Sequence, residues 1–218
     1  MPSWFSRFQP RRGMRDRVSS ADMAELSPET CALPPGTDWS WRPAVLSQAL
    51  PDPEHVAPAS GRRLSDEMAL WHDCPDKALT LRQRPQTDGA PFDLLLEVPR
   101  FGGSYLSVSF DLPASAMNGL TSAHILRLAT VLRSQEGASI YARLNVTHGP
   151  NTENILRHVD LTRSDPSGRY LVEFDLAGTD LNQNRLEKIW LDLIVEQPRL
   201  ESVTLAELVM SRHLRANF

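Results

Sequence analysis

The sequence has few of the features that define several large protein classes. Cysteine occurs only twice in 218 residues, as Cys31 and Cys74, which argues against a disulfide framework and predicts reduced thiols. No apolar run reaches the ~18 residues that cross a membrane, and the N-terminus lacks the apolar stretch of a signal peptide. We therefore expect synthesis in the cytoplasm, without a signal peptide and without a membrane partner.

Strong charge and catalytic signatures are also missing. A net charge of −4 and an isoelectric point near 5.9 give no reason to expect a nucleic-acid partner. The sequence contains no Gly-x-Ser-x-Gly, phosphate loop, dinucleotide fingerprint or His-Glu-x-x-His motif. The run His72-Asp73-Cys74 offers three metal ligands, but no second cluster completes a zinc site. We expect no enzyme activity, no catalytic residues, no cofactor and no metal.

What the sequence does contain is a repeated two-residue hydrophobic period. In the stretch 138–146, Ile140, Ala142, Leu144 and Val146 alternate with polar or aromatic residues. A strand would point these four side chains into a core and the intervening ones toward solvent. The same period recurs in the segments 106–112, 170–176 and 189–195. This pattern is typical of sheets that are solvated on one face.

The strand pattern predicts the fold class and its extent. Asp88-Gly89 indicates a hairpin between two apolar segments, and a phase change between Leu205 and Leu208 predicts a bulge. The segment 123–134 fits helical and strand spacing, and its neighbours favour a strand. Residues 77–218 are therefore predicted to form an all-β domain, a jelly-roll-like β-sandwich of eight or nine strands.

The first 76 residues differ in composition. They hold ten of the seventeen prolines and four of the five tryptophans. Proline disfavours long helices and interior strands, so we predict an extended arm over 1–76 with one or two short helices, at 19–26 and 65–71. The first aromatic residues could also belong to a frayed terminus or a membrane anchor. Otherwise the arm's aromatic residues are predicted to dock on a partner, and they are Trp4, Phe5, Phe8, Trp39, Trp41 and Trp71.

A second candidate surface lies on the solvated strand faces. Tyr141, Arg143 and Asn145 share one such face, and Trp190 lies with Asp192 on another. Aromatic rings beside polar groups could bind a glycan. The alternative, that Trp190 belongs to the core or to an interface, is favoured over a ligand platform, because tryptophan is usually buried.

A hydrolase would require two facing carboxylates about 5 to 10 Å apart. The candidates for such a pair are Glu173, Asp175, Asp192 and Glu196.

The closing third carries a resemblance at the level of fold. Segments 169–176 (RYLVEFDL), 189–195 (IWLDLIV) and 203–212 (VTLAELVMSR) resemble the last strands of galactose-binding and carbohydrate-binding jelly rolls. The whole chain, with its proline-rich aromatic arm and the terminal segment 211–218, is similar to an alphaproteobacterial family associated with the head-spike base of gene transfer agents. That likeness implies a non-enzymatic virion protein, attached at a capsid vertex and carrying a spike that meets the recipient's capsule.

These observations lead to three hypotheses. The first is a homo-oligomeric structural protein of a phage-like particle, whose arm docks on capsid or other particle proteins and which leaves the cell in the released particle. The second is a carbohydrate-binding module for a cell-surface polysaccharide. The third is a glycan-active hydrolase.

Overall fold

Alternating apolar residues form thirteen strands in the part of the chain that the computed structural model describes, which is residues 32–134, 138–161, 167–196 and 201–216. The strands are β1 (Thr37–Trp41), β2 (Glu54–Val56), β3 (Arg62–Arg63), β4 (Met68–His72), β5 (Thr80–Pro85), β6 (Phe92–Glu97), β7 (Tyr105–Asp111), β8 (His124–Ser134), β9 (Ser139–His148), β10 (Asn151–Val159), β11 (Arg169–Asp175), β12 (Leu186–Glu196) and β13 (Ser202–Leu214). One four-residue helix, α1 (Ala44–Ser47), and three 3-10 turns, Ala114–Met117, Leu176–Gly178 and Gln183–Arg185, complete the described elements.

The strands form two antiparallel sheets that pack face to face. The back sheet has the order β11-β8-β13-β6-β5-β2, and β1 pairs with the far end of β13. The front sheet has the order β10-β9-β12-β7-β4-β3. The inner faces share one hydrophobic core, in which Phe110, Phe174, Leu128 and Leu144 are fully buried. This confirms the predicted all-β, jelly-roll-like sandwich.

Nine of the strands, β5 to β13, lie in the region for which eight or nine were predicted. The hairpin at Asp88-Gly89 joins β5 to β6, and the ambiguous segment 123–134 is the strand β8. The alternation predicted for the stretch 138–146 is also confirmed, because Ile140, Ala142, Leu144 and Val146 are all buried.

The predicted boundary at residue 76 differs from the structure. Strands β1 to β4 come from residues 37–72, and each pairs with one of the two sheets. The prolines of this region do not prevent pairing, since Pro51, Pro53 and Pro58 flank the short edge strand β2, and β1 and β4 contain no proline. The part of the predicted arm that the structure describes is therefore part of the sandwich.

The prediction of a helix over 65–71 is wrong, because most of β4 lies in this segment. Met68, Leu70 and His72 point into the core, while Trp71 points outward, and β7 supplies the pairing partner. Burial against the core thus overrides the local helix signal. The other predicted helix, at 19–26, lies outside the described residues, as do Trp4, Phe5 and Phe8.

The predicted bulge in the last strand is confirmed. The register of β13 against β8 shifts between Leu205 and Glu207. The shift leaves the fully buried Glu207 side chain facing Arg42, whose Nε and Nη2 donate to its two carboxylate oxygens at 2.9 and 2.8 Å. This ion pair ties the residue that follows β1 to the middle of the back sheet.

The substitution Glu207→Ala should therefore destabilise the fold by about 3 kcal/mol, because it leaves a nearly buried guanidinium without its carboxylate. Urea unfolding would measure the free-energy difference. The double variant R42M/E207M should recover most of the loss, since it removes both charges together. A single substitution that costs under about 1 kcal/mol would show that the pair is not a buried structural contact.

Candidate functional site

The outward face of the front sheet forms a groove of about 630 Å³. Its floor is β7, where Ser107 and Ser109 point outward and are small enough to leave a depression between the neighbouring strands. Strand β12 forms one wall with Trp190 and Ile194, and β4 forms the other with Ala69 and Trp71. Side chains alternate across a strand, so this face has the polar and aromatic residues that the core excludes.

The four predicted glycan-binding residues all belong to this one face. β12 lies between β9 and β7, and its Trp190 pairs with Asn145, while Asp192 pairs with Arg143 and Ile194 with Tyr141. The expectation that Trp190 and Asp192 occupy a different face from the β9 residues is therefore wrong. The order of strands in the sheet decides which residues share a face, and no single segment of sequence encodes that order.

Two large aromatic rings stand on opposite sides of the groove floor. Trp71 is 46% exposed, and Trp190 is half-buried. Only β7 lies between their strands, and their partners on β7 are four residues apart. Two inter-strand spacings and four residues of strand length place their Cα atoms roughly 16 Å apart. Trp71 packs its ring against Gly61, where an added Cβ would lie 3.2 Å from Cζ3 of the indole. Its position thus depends on a glycine at positive φ in the turn before β3.

A buried carboxylate organises the centre of the groove. Asp192 is only 2% exposed and accepts hydrogen bonds from three neighbours. Arg143 donates from Nε at 3.0 Å and from Nη2 at 2.8 Å, Asn145 donates from Nδ2 at 2.9 Å, and the hydroxyl of Ser109 donates to the other oxygen. Because burial of an unpaired carboxylate would be costly, these donors fix Asp192 and, through it, Arg143.

Arg143 and Asn145 consequently have different exposures. The Arg143 side chain remains 43% exposed and lines the groove. Asn145 is 1% exposed, and its amide also donates to the carbonyl oxygens of Arg143 and Trp190. Arg143 is therefore available to a ligand, while Asn145 acts beneath the surface as a support for Asp192.

The end of the groove next to Trp190 has a second ionic cluster. Asp111 accepts from Lys188 Nζ at 2.8 Å and from Arg63 Nη1 at 3.3 Å. The same Lys188 ammonium lies 5.4 Å from the centroid of the Trp190 ring, which is within the range of a cation–π contact. Lys188 thus holds the indole and the carboxylate in a fixed relation.

Two further carboxylates support the walls. Glu67 accepts from the backbone N–H of Val45 at 3.2 Å; burial raises its pKa, and the backbone hydrogen bonds at Val45 and Ala44 oppose that rise. Asp73 accepts from the Ser104 hydroxyl and from the N–H groups of Ser104 and Tyr105, and the hydroxyl contact is the main cause of its lowered pKa. Asp73 therefore fixes the start of β7, where Tyr105 lines the groove.

A second depression, of about 470 Å³, adjoins the groove on the same face. Tyr105, Arg143 and Ile194 line both, so the two form one continuous concave surface. Tyr141 and the exposed Leu156 line only the second depression, together with Glu196. The ring of Tyr141 makes an edge contact with the imidazole of His158, at 5.1 Å between centroids.

The tryptophans predicted to dock on a partner are placed in three different environments. Trp39 is buried in the core, and its Nε1–H donates to Ser115 Oγ at 3.2 Å. Trp41 is half-buried and packs against the same core. Only Trp71, among the described three, presents its ring to solvent.

The candidate hydrolase carboxylates are not brought together. Glu173 and Asp175 belong to β11 at the edge of the back sheet, whereas Asp192 and Glu196 belong to the front sheet. In the described residues, no group of three or more His, Cys, Asp or Glu side chains comes close enough to hold a metal ion. None of the described helices has the length and apolar character that a bilayer crossing requires.

Sequence reasoning missed much of the groove. The sequence pattern places Trp71 in the arm and predicts the segment 106–112 only as a strand with one solvated face, without singling out Ser107, Ser109 or the preceding Tyr105. The usable signal was the outward alternation of β7, where small serines sit between larger residues, but its meaning depends on which strands lie beside it. Arg63 and Lys188 gave no signal at all, because a lone basic residue is usually only a solvated one.

A family model described as "Family of unknown function (DUF6478)" matches residues 14–218. No curated protein matches the chain by sequence. Neither comparison bears on the likeness to the head-spike base of gene transfer agents, which stays a prediction.

Solved structures with a similar fold include carbohydrate-binding modules. The family 11 module from Clostridium thermocellum, in complex with a mixed-linked tetrasaccharide, is 9% identical, with a TM-score of 0.39 over 70% of this chain and 92% of that one. The enzymatically active domain of tailspike protein 4 from bacteriophage CBA120 is 9% identical, with a TM-score of 0.49 over 69% of this chain and 20% of that one. A cyclase from Fischerella sp. TAU is 13% identical, with a TM-score of 0.45 over 84% and 87%. This chain thus spans about a fifth of the tailspike structure. Likenesses at these scores do not extend to a ligand or an activity.

The hydrogen bonds from Ser104 and Tyr105 to the Asp73 carboxylate predict that the stability of the fold depends on pH. Its folded pKa lies below the ordinary value of 3.8, so the carboxylate stabilises the folded state fully above about pH 5, and this contribution is lost as the pH falls from about 4 through the folded pKa. Asp73→Asn should therefore cost stability near neutral pH, and the difference from the unsubstituted protein should shrink below about pH 4. Urea unfolding over a pH series measures the difference in free energy of unfolding between the two proteins. A difference that does not change with pH would contradict the stabilising role of the Asp73 carboxylate.

Proposed function

This chain belongs to the DUF6478 family, a family of unknown function, and we propose that it is a carbohydrate-binding protein whose ligand lies along the outward face of the front sheet. The observation that supports this proposal most is the combination of Trp71 and Trp190 on either side of a serine floor, with the fixed guanidinium of Arg143 lining the same groove from β9. A sugar ring presents an apolar C–H face that packs on an indole and a rim of hydroxyls that need hydrogen-bond partners. The groove supplies both kinds of contact.

The preorganisation of Arg143 adds to this argument. Its Nε and Nη2 are held by a carboxylate that is itself fixed by Asn145 and Ser109. An arginine that is already immobilised loses little side-chain entropy when a ligand binds. Ligand hydroxyls can accept hydrogen bonds from the exposed part of this guanidinium, which has donors only.

We propose binding without hydrolysis. A glycosidase requires one carboxylic acid that can protonate the leaving oxygen and a second carboxylate that is free to act as nucleophile or base. Asp192 is occupied by Arg143, and Asp111 lies between Arg63 and Lys188. Glu67 has the raised pKa of a candidate acid, but its Oε1 accepts from the backbone of Val45. The groove carboxylates therefore serve to hold its walls.

A second proposal concerns the setting in which this binding takes place. The sequence resemblance to the head-spike base family supports a role as a component of a phage-like particle, with the chain homo-oligomeric and attached to capsid proteins. Glycan binding by such a component would bring the particle to the surface polysaccharide of a recipient cell. The two proposals are independent, since a carbohydrate-binding sandwich needs no particle.

Substitution of the groove tryptophans tests the first proposal. On a glycan array, the purified chain should bind at least one oligosaccharide, and Trp71→Ala should weaken binding to that oligosaccharide at least tenfold, which is about 1.4 kcal/mol. Trp71→Phe should retain part of the affinity, because a ring remains. Leu171→Ala, at an exposed apolar residue of the back sheet, is the matched control and should bind as the unsubstituted chain does. An array without any ligand, or a Trp71→Ala variant of undiminished affinity, would contradict the proposal.

Fractionation tests the second proposal. Particles released from producing cells would be separated by density, and the tagged chain should sediment with the capsid protein. Light scattering on the purified chain should give a mass above that of one chain. A chain that stays monomeric and entirely in the soluble fraction would rule out the particle role without affecting the glycan experiment.

A further inference from the structure

We infer that the groove takes a neutral glycan chain and discriminates against acidic ones; this rests on the proposed function and specifies its ligand class. The observation behind it is the pairing of charges within the site. The residues lining the groove include three bases, Arg63, Arg143 and Lys188, and three acids, Glu67, Asp111 and Asp192. The formal charges of the site therefore cancel, as 3 − 3 = 0.

Each of the three bases also has a carboxylate at ion-pair distance, and Lys188 and Arg63 share one. Arg143 meets Asp192 at 2.8 Å, and Asp111 meets Lys188 at 2.8 Å and Arg63 at 3.3 Å. A uronate or phosphate that approached any of these bases would have to displace a carboxylate or to lie beside it. Two like charges at contact distance oppose each other strongly where water is partly excluded. An anion that approached any of the three bases would thus also meet a carboxylate beside it.

Asp192 makes the strongest of these barriers. It is 2% exposed, so its charge lies directly beneath the Arg143 guanidinium and cannot be rotated out into solvent. A ligand hydroxyl can accept from the exposed part of the Arg143 guanidinium without bringing a negative charge near Asp192. A bound anion can use only the guanidinium and must tolerate the carboxylate below it. The pair consequently favours a hydroxyl-rich, uncharged ligand.

The adjoining depression extends the same preference. Its lining includes the acid Glu196, while its base is Arg143, whose charge Asp192 already neutralises. Its remaining surface is formed by Tyr105, Tyr141, Leu156 and Ile194 together with Ser104. A chain that continued from the groove into this depression would meet a surface of slightly negative charge. An acidic polymer would be disfavoured there as well.

Matched pairs of polysaccharides test the inference on the unsubstituted chain. Affinity electrophoresis would compare soluble β-1,4-glucan with β-1,4-glucuronan and β-1,4-mannan with β-1,4-mannuronan, so that the members of each pair differ only at C6. Binding should occur to a neutral member and be at least tenfold weaker for its acidic partner. The affinity of the neutral ligand should change by less than about twofold between about 20 mM and about 500 mM sodium chloride, because no net ion pair forms.

A charge variant gives a second readout. Asp111→Asn removes the one carboxylate that contacts both Lys188 and Arg63, so the ratio of acidic to neutral affinity should rise at least fivefold. Asp175→Asn, which removes a comparable ion pair with Arg215 on the opposite sheet, is the matched control and should leave the ratio unchanged.

The outcomes separate the two proposals. An acidic member that binds more tightly than its neutral partner, with an affinity that falls steeply with salt and depends on Trp71, would overturn the inference and leave carbohydrate binding intact. Failure of every polysaccharide, neutral and acidic, would overturn both.

Discussion

The groove depends on one ion pair, the contact between the buried Asp192 and the partly exposed Arg143. Its members come from neighbouring strands, β12 and β9, and the supporting hydroxyl of Ser109 comes from β7 on the other side. The contact therefore exists only while three strands keep one register. A slip of a single residue in β12 would turn Asp192 into the core and a leucine toward solvent. Formation of the site and formation of the front sheet are in this sense the same event.

The core keeps that register. Ile189, Leu191, Leu193 and Val195 alternate with the outward residues of β12 and are all buried. Burying four such side chains contributes several kcal/mol, far more than the exposed contacts of the outer face. The polar residues of the groove thus take positions that hydrophobic packing has already fixed. Their own interactions decide how rigid the surface is and which charges it can accept.

Because hydrophobic packing sets the strands and polar contacts only refine the outer face, some features of the fold were predictable from the sequence and others were not. The strands from residue 80 onward follow from alternation, because a period of two residues reports directly on burial at one face. The composition of the outer face also follows, since Tyr141, Arg143 and Trp190 occupy the outward phase of that alternation. The bulge before Glu207 was visible as a change of phase. All of these are local properties of one strand.

Features that depend on which strands are neighbours could not be predicted from the sequence in this way. The position of Trp71 opposite Trp190 depends on β4 and β12 both flanking β7, which no single segment encodes. The misassignment of residues 37–72 has a related cause: prolines between short strands resemble an arm when each strand is considered without its partner. The burial of Asn145 beneath Arg143 likewise arises from the approach of β12. Strand order is set by the total fit of the core, so it becomes visible only in the folded chain.

The most direct test of this account is a crystal structure of the chain with a neutral oligosaccharide that binds it. The account predicts sugar rings along the outward face of the front sheet, one of them packed on the indole of Trp71, with hydroxyls hydrogen-bonded to Arg143 while its contact with Asp192 stays intact. A sugar bound elsewhere, with the groove empty, would contradict it. So would a groove in which Arg143 leaves Asp192 to contact the ligand.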